Sequence, residues 1–122
     1  MSVRRLMAAF AALAVVVGIG ASSVLAARSQ TQVTTVKVTA LDSGGFKFTL
    51  SKKSAKAGKV TFVVTNKGSL QHDFWIAGKK TKLLSKNKSQ SLTVTIKKGK
   101  NAYKCTVPGH AAAGMRGNFT GL

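Results

Sequence analysis

The chain has 122 residues, with 20 Lys and Arg against 2 Asp and Glu, and a formal net charge of +18. This length leaves room for one domain and excludes a multidomain enzyme. Hydrophobic residues make up 44% of the chain, which is too many for a disordered polycation, so we expect a folded core. The single Cys excludes a disulfide within the chain, and with only two His any metal or catalytic site must use few residues.

The N-terminal segment has the pattern of an export signal. Arg4 and Arg5 precede an uncharged apolar stretch, residues 6–27, whose last part is rich in small residues. This pattern predicts a signal peptide, residues 1–26, followed by a short polar tether, residues 27–32, and one folded domain, residues 33–122. The alternative is an uncleaved membrane anchor, because the uncharged stretch is nearly long enough to span a bilayer.

Both interpretations predict an exported protein, either periplasmic or otherwise extracytoplasmic, and the anchor interpretation keeps it attached to the membrane. Nucleic acid is absent from that location, so the excess of Lys predicts an acidic redox partner protein, an anionic membrane surface or a cell-wall polymer as the binding partner. The alternative is a solvated Lys-rich surface that only keeps the protein soluble. We expect a monomer that does not bind nucleic acid.

Period-two alternation of apolar and polar residues dominates the part of the chain after the tether. Val36, Val38 and Ala40 alternate with polar residues, and the same pattern recurs further along the chain. The predicted strands cover residues 31–41, 46–50, 60–65, 71–76, 92–96, 102–106 and 117–120. Gly, Asn, Asp and Ser clusters separate most of these runs. We therefore predict an all-β domain, an antiparallel β-sandwich of about seven to eight strands, without a helix longer than one or two turns.

The residues that could carry chemistry lie close to the C-terminus. Four residues separate Cys105 from His110, and four more separate His110 from Met115, while His72 lies well upstream. Taken singly, each has an ordinary structural explanation: a buried small Cys, a turn His and a Met in the core. Together they form the two-His, one-Cys set with a weak Met that is typical of blue-copper electron-transfer sites. The same Cys and His residues also suit zinc.

This C-terminal loop, together with residues 66–72, resembles the cupredoxin family of small blue-copper proteins, which are plastocyanin-like and azurin-like. The resemblance covers residues 31–122 and implies a Greek-key β-sandwich that holds one type 1 copper cycling between Cu(I) and Cu(II). It implies His72, Cys105 and His110 as ligands and Met115 as a long axial ligand. It also implies that electrons pass near His110, inside a small apolar docking patch. The patch residues are Pro108, Gly109, Ala111, Ala112 and Ala113.

One residue departs from the family pattern. Many members have Asn after the first ligand His, where it ties the two ligand segments together, and this chain has Asp73. A carboxylate accepts hydrogen bonds but has no amide to donate. The ligand loop is also longer than in the plastocyanin pattern.

The sequence therefore predicts an electron carrier, not an enzyme, that shuttles single electrons between extracytoplasmic redox partners. The alternative is an exported copper chaperone or storage protein. A closed set of four donors containing one thiolate favours the carrier over the chaperone. The set also leaves no open position where a substrate could react, which argues against an enzyme.

Overall fold

The structure, a computed structural model, describes residues 32–122, and these contain nine β-strands. They are β1 (Thr34–Leu41), β2 (Lys47–Leu50), β3 (Ser54–Ala55), β4 (Gly58–Asn66), β5 (Trp75–Ile76), β6 (Lys79–Lys80), β7 (Ser89–Ile96), β8 (Gly99–Lys104) and β9 (Arg116–Gly121). The predicted signal peptide, residues 1–26, and all of the predicted tether except Gln32 lie outside the described residues. Within residues 32–122, no helix is long and apolar enough to cross a membrane.

The strands form two sheets. The first has the order β2-β1-β4-β7, and the second has the order β3-β9-β8-β5-β6. Alternation of buried and exposed residues along β1, β4 and β7 gives the first sheet one apolar face, which packs on the inner face of the second sheet. The predicted all-β sandwich is confirmed.

Both sheets are mixed. β1 pairs with β4 in parallel, from Thr34 opposite Val60 to Ala40 opposite Asn66, and β3 pairs with β9 in parallel. The sequence analysis predicted antiparallel neighbours, and these two pairs differ from that prediction. The reason is that local alternation predicts where strands lie but not the direction in which they pair. Residues 42–57, which include β2 and β3, return the chain to the end of the sheet where β1 begins, and β4 therefore runs in the same direction as β1.

The short strands were harder to predict. β3 and β6 have two residues each, too few to show a period. The predicted strand at residues 71–76 pairs continuously only at Trp75 and Ile76, while His72 forms an isolated bridge with Leu84.

The main core lies between the sheets and is built around three fully buried aromatic rings. Phe62 of β4 lies with its ring centroid 5.5 Å from that of Phe74 and 5.2 Å from that of Phe119 in β9. Edge-to-face and tilted contacts of this kind are favourable for aromatic pairs. The core therefore joins the two sheets through side chains of both.

Strand direction brings three connections to one end of the sandwich. β1 and β4 run in parallel and both end there, so the segments that follow them, residues 42–46 and 67–74, are neighbours. β8 ends where β9 begins, because the two strands are antiparallel and Lys104 lies opposite Arg116. This turn lies at the same end of the sandwich, since Gly114 packs against the backbone of Phe46. The loop between them, residues 105–115, completes this end, and it contains three of the predicted ligands.

Candidate metal centre

His72 is fixed by backbone hydrogen bonds to the segment before β7. Its N–H donates to the carbonyl of Leu84 (3.2 Å), and the Leu84 N–H donates to the carbonyl of His72 (2.8 Å). The side chain is 1% exposed. The backbone of His72 is therefore fixed at both its N–H and its carbonyl, which holds the side chain in the site.

The loop that contains the other donors is closed by its own hydrogen bonds. The Cys105 N–H donates to the Met115 carbonyl (3.0 Å), and the Met115 N–H donates to the His110 carbonyl (3.0 Å). Gly114 has a positive φ of 129°, and a Cβ at this position would collide with the backbone oxygen of Phe46. The loop thus packs tightly on the segment that precedes β2, and Gly114 makes this close approach possible.

Three donor atoms converge at this end of the molecule. The Nδ1 atoms of His72 and His110 are 3.0 Å apart, and the Cys105 Sγ lies 4.0 Å from the first and 3.6 Å from the second. Met115 is fully buried and belongs to the same small apolar cluster as Cys105 and Ala40. The structure therefore brings the first three predicted ligands together and places the fourth in the cluster that packs around Cys105.

The donors suit a soft transition-metal ion. Burial raises the pKa of the Cys105 thiol, so its thiolate needs a bound cation to form at neutral pH. Burial, and secondarily the electrostatic influence of His72, lower the pKa of His110, so its ring is neutral at neutral pH and its lone pair is free for a metal. One thiolate, two imidazoles and a nearby thioether fit copper.

Asp73 connects the two ligand segments by accepting hydrogen bonds. Its Oδ1 accepts from the backbone N–H of Thr106 (2.6 Å), and its Oδ2 accepts from the Thr106 hydroxyl. The residue after His72 is thereby bonded to the residue after Cys105. A carboxylate suffices for this connection, because both groups of Thr106 are donors.

Asp42 is a site residue that the sequence analysis missed. Its Oδ2 lies 2.8 Å from the Nε2 of His72, on the side of the ring away from the other donors. The sequence places Asp42 in an Asp-Ser-Gly-Gly turn, which explains it without a site. A second signal was available: the chain has only two acidic residues, and the structure places both beside the predicted ligands.

Phe46 was also missed, because its alternation with Phe48 and Leu50 predicts only a strand. It precedes β2, and its ring lies against both imidazoles, with centroid distances of 4.9 Å to His110 and 6.2 Å to His72. Phe46 is half-buried. It therefore covers one side of the pair of rings.

The predicted docking patch surrounds His110, which is itself half-buried. Ala111 is half-buried and the other members are exposed, namely Pro108, Gly109, Ala112 and Ala113. The His110 ring is therefore partly accessible within this patch, whereas His72 is enclosed.

Comparison with known proteins agrees with the fold and the donor set. Residues 31–120 match the family model described as copper binding proteins, plastocyanin/azurin family. Among solved structures, the chain is similar to sodium-dithionite-reduced auracyanin from the photosynthetic bacterium Roseiflexus castenholzii. The TM-score is 0.59 at 20% identity, and the match covers 75% of this chain and 98% of the auracyanin chain. None of the curated proteins matches the sequence significantly.

The auracyanin likeness, at this identity, concerns the fold alone. The family model covers most of the chain, including every predicted ligand, and the residues it spans hold a donor set that fits one type 1 copper. The resemblance inferred from the Cys, His and Met loop is confirmed. The chain belongs to the plastocyanin/azurin family of copper-binding proteins.

Proposed function

We propose that this protein is a one-electron carrier that acts outside the cytoplasm, with His72, Cys105, His110 and Met115 as the ligands of its copper. The observation that carries the proposal is the convergence of two imidazole nitrogens and one thiol sulfur, all within 4.8 Å of one another, beside a fully buried Met. When bound, copper supplies a Cu(I)/Cu(II) couple.

Rapid transfer needs donors that move little between the two oxidation states. Here, Cys105 is hydrogen bonded through its backbone to Met115, and His72 is hydrogen bonded through its backbone to Leu84. Asp73 and Thr106 join the two segments. A donor set held in this way satisfies both oxidation states with little rearrangement, which favours electron transfer over substrate turnover.

Electrons would enter and leave at His110. Its ring is the donor closest to the surface, and the small side chains around it allow a partner to approach closely. His72 and Cys105 are 1% exposed and Met115 is fully buried, so they hold the ion without contacting a partner.

The charge of the chain favours an acidic redox protein as the partner. Both of its acidic side chains are hydrogen bonded within the metal centre, so no carboxylate side chain offsets the Lys-rich surface.

Cross-strand register places Lys80, Trp75, Lys104 and Arg116 in one row on the second sheet. The Lys104 ammonium lies 5.4 Å from the centre of the Trp75 ring. Like charges on adjacent strands destabilise a sheet, and a bound anionic surface would relieve that cost.

The experiment is a visible spectrum of the purified protein after Cu(II) is added and then ascorbate. A carrier shows an intense red-region band that bleaches on reduction and returns on oxidation, with no loss of metal. The matched control is Cys105→Ser, which removes the thiolate with little change in volume and should not show the band.

Two results would contradict the proposal. A colourless copper complex whose thiol still reacts with alkylating reagents would show that Cys105 is not a ligand. Rapid transfer of copper to a chelator would instead indicate a copper-handling or storage protein.

A further inference from the structure

The two His side chains of the metal centre have different surroundings. His72 is enclosed and carries a carboxylate on its outer nitrogen, with 2.8 Å between Nε2 and the Asp42 Oδ2. His110 is half-buried, and in the described part of the chain the hydrogen-bond contacts of its side chain are those of Nδ1, with His72 and Cys105. The asymmetry indicates that Asp42 acts on one ligand only.

The Asp42 carboxylate is held by hydrogen bonds from two backbone N–H groups. Its Oδ1 accepts from the Ser69 N–H (2.9 Å), and its Oδ2 accepts from the Leu70 N–H (2.8 Å) as well as facing His72. Backbone N–H groups that donate to a carboxylate favour its ionised form. The side chain is 7% exposed. The carboxylate is therefore charged and fixed in place.

Gly68 makes the contact sterically possible. A Cβ at this position would collide with the Asp42 carboxylate and would lie 2.9 Å from the His72 Nε2. Asn66 fixes the turn around it, because its side chain accepts from the Gly68 N–H (2.8 Å) and donates to the carbonyls of Leu70 (2.8 Å) and Leu84 (2.7 Å). The turn after β4 therefore packs directly against the Asp42 carboxylate and the His72 imidazole.

We propose that Asp42 is a positioning residue for His72 that also sets the reduction potential of the metal centre. By accepting a hydrogen bond from Nε2–H, the carboxylate keeps the proton on the outer nitrogen and leaves Nδ1 free to face Cys105 and His110. Its negative charge makes the imidazole a stronger donor, which stabilises Cu(II) more than Cu(I). The inference rests on the proposed function and deepens it.

The first test compares Asp42→Asn and Asp42→Ala by redox titration of the copper protein. Asp42→Asn keeps an acceptor oxygen for His72 but removes the charge. We expect its potential to rise by an amount equal to a tenfold change in the Cu(II)/Cu(I) ratio, about 59 mV for one electron. Asp42→Ala also removes the acceptor, and we expect Cu(II) affinity to fall about 10- to 100-fold.

The matched control is Asp73→Asn, which removes the same charge but from a residue that bonds Thr106, not a ligand ring. Its potential should rise less than that of Asp42→Asn. An unchanged potential in Asp42→Asn, or an equal rise in both variants, would overturn the specific role of Asp42.

A second readout uses the metal-free protein and is independent of copper chemistry. We expect the His72 Nε2–H to give a slowly exchanging proton NMR signal in the wild-type protein that is absent in Asp42→Ala. A His72 ring that carries its proton on Nδ1 would overturn the proposal. If this signal is present but the copper protein is not blue, the proposed function fails while the Asp42 contact stands. If the protein is blue and the potential of Asp42→Asn is unchanged, only the inference about Asp42 fails.

Discussion

The sandwich contains two apolar clusters with different roles. The larger lies between the sheets and contains Phe62, Phe74 and Phe119 among aliphatic side chains. The smaller consists of Ala40, Cys105 and Met115, with Phe46 and Val107 packed against it. Phe48 packs against both. Stability comes chiefly from the first cluster and chemistry from the second, so the two can be perturbed separately.

The largest expected effect is the complete loss of the copper absorption band in Cys105→Ser. The substitution removes the thiolate from the smaller cluster but scarcely changes its volume, so the free energy of unfolding of the metal-free protein should change little. Absorption spectra and denaturant titrations measure the two properties. If Cys105→Ser unfolded the metal-free protein, the smaller cluster would be a structural core as well.

Phe62→Ala should have the opposite effect. Phe62 is fully buried between the other two rings, and removing such a side chain costs about 3–5 kcal/mol, a large part of the stability of a typical domain. Urea titration measures the loss, and the folded fraction should still bind copper and show its band. A variant that stayed fully stable but lost the colour would reverse the assignment of the two clusters.

Met115→Leu should have a smaller effect on stability, below about 1.5 kcal/mol, because the two side chains have similar volumes. The copper site should form, but its potential should change, since the thioether is lost while the other donors remain. Redox titration measures this change. An unmoved potential would remove Met115 from the ligand set and leave it as part of the packing alone.

The smallest expected effect concerns the surface charges near the metal centre. Lys104→Gln with Arg116→Gln should weaken the salt dependence of oxidation by ferricyanide, an anion, because two cations beside Cys105 are removed. The control is Lys56→Gln with Lys59→Gln at the opposite end of the sandwich, where β4 begins. Stopped-flow rates at several ionic strengths measure both. Equal effects of the two pairs would assign the lysines to general solubility.

The sequence predicted the parts of the fold that follow from local patterns. Period-two alternation located the longer strands and the inward faces of β1, β4 and β7, because neighbouring residues on a strand point to opposite sides. The direction of pairing between β1 and β4 was not predictable in this way, since it depends on the path of residues 42–57 and not on either strand.

The candidate site also contains a part that the sequence predicted and a part that it did not. Its donor set could be proposed from residue types alone, because the chain has one Cys and two His and few chemistries use those with a nearby Met. Asp42 and Phe46 were not assigned to it, because their neighbours in the chain explain Asp42 as a turn residue and Phe46 as a strand residue.

The sequence by itself therefore determined the class of fold and the donor set, since both follow from residue type and spacing, and the resemblance carried by those donors indicated the family and copper. Only the tertiary structure decided which groups surround the donors. The parallel ends of β1 and β4 bring Asp42 to the outer nitrogen of His72, and Gly68 leaves the space for that contact. These are contacts between segments about 30 residues apart, and no local pattern encodes the distance between them.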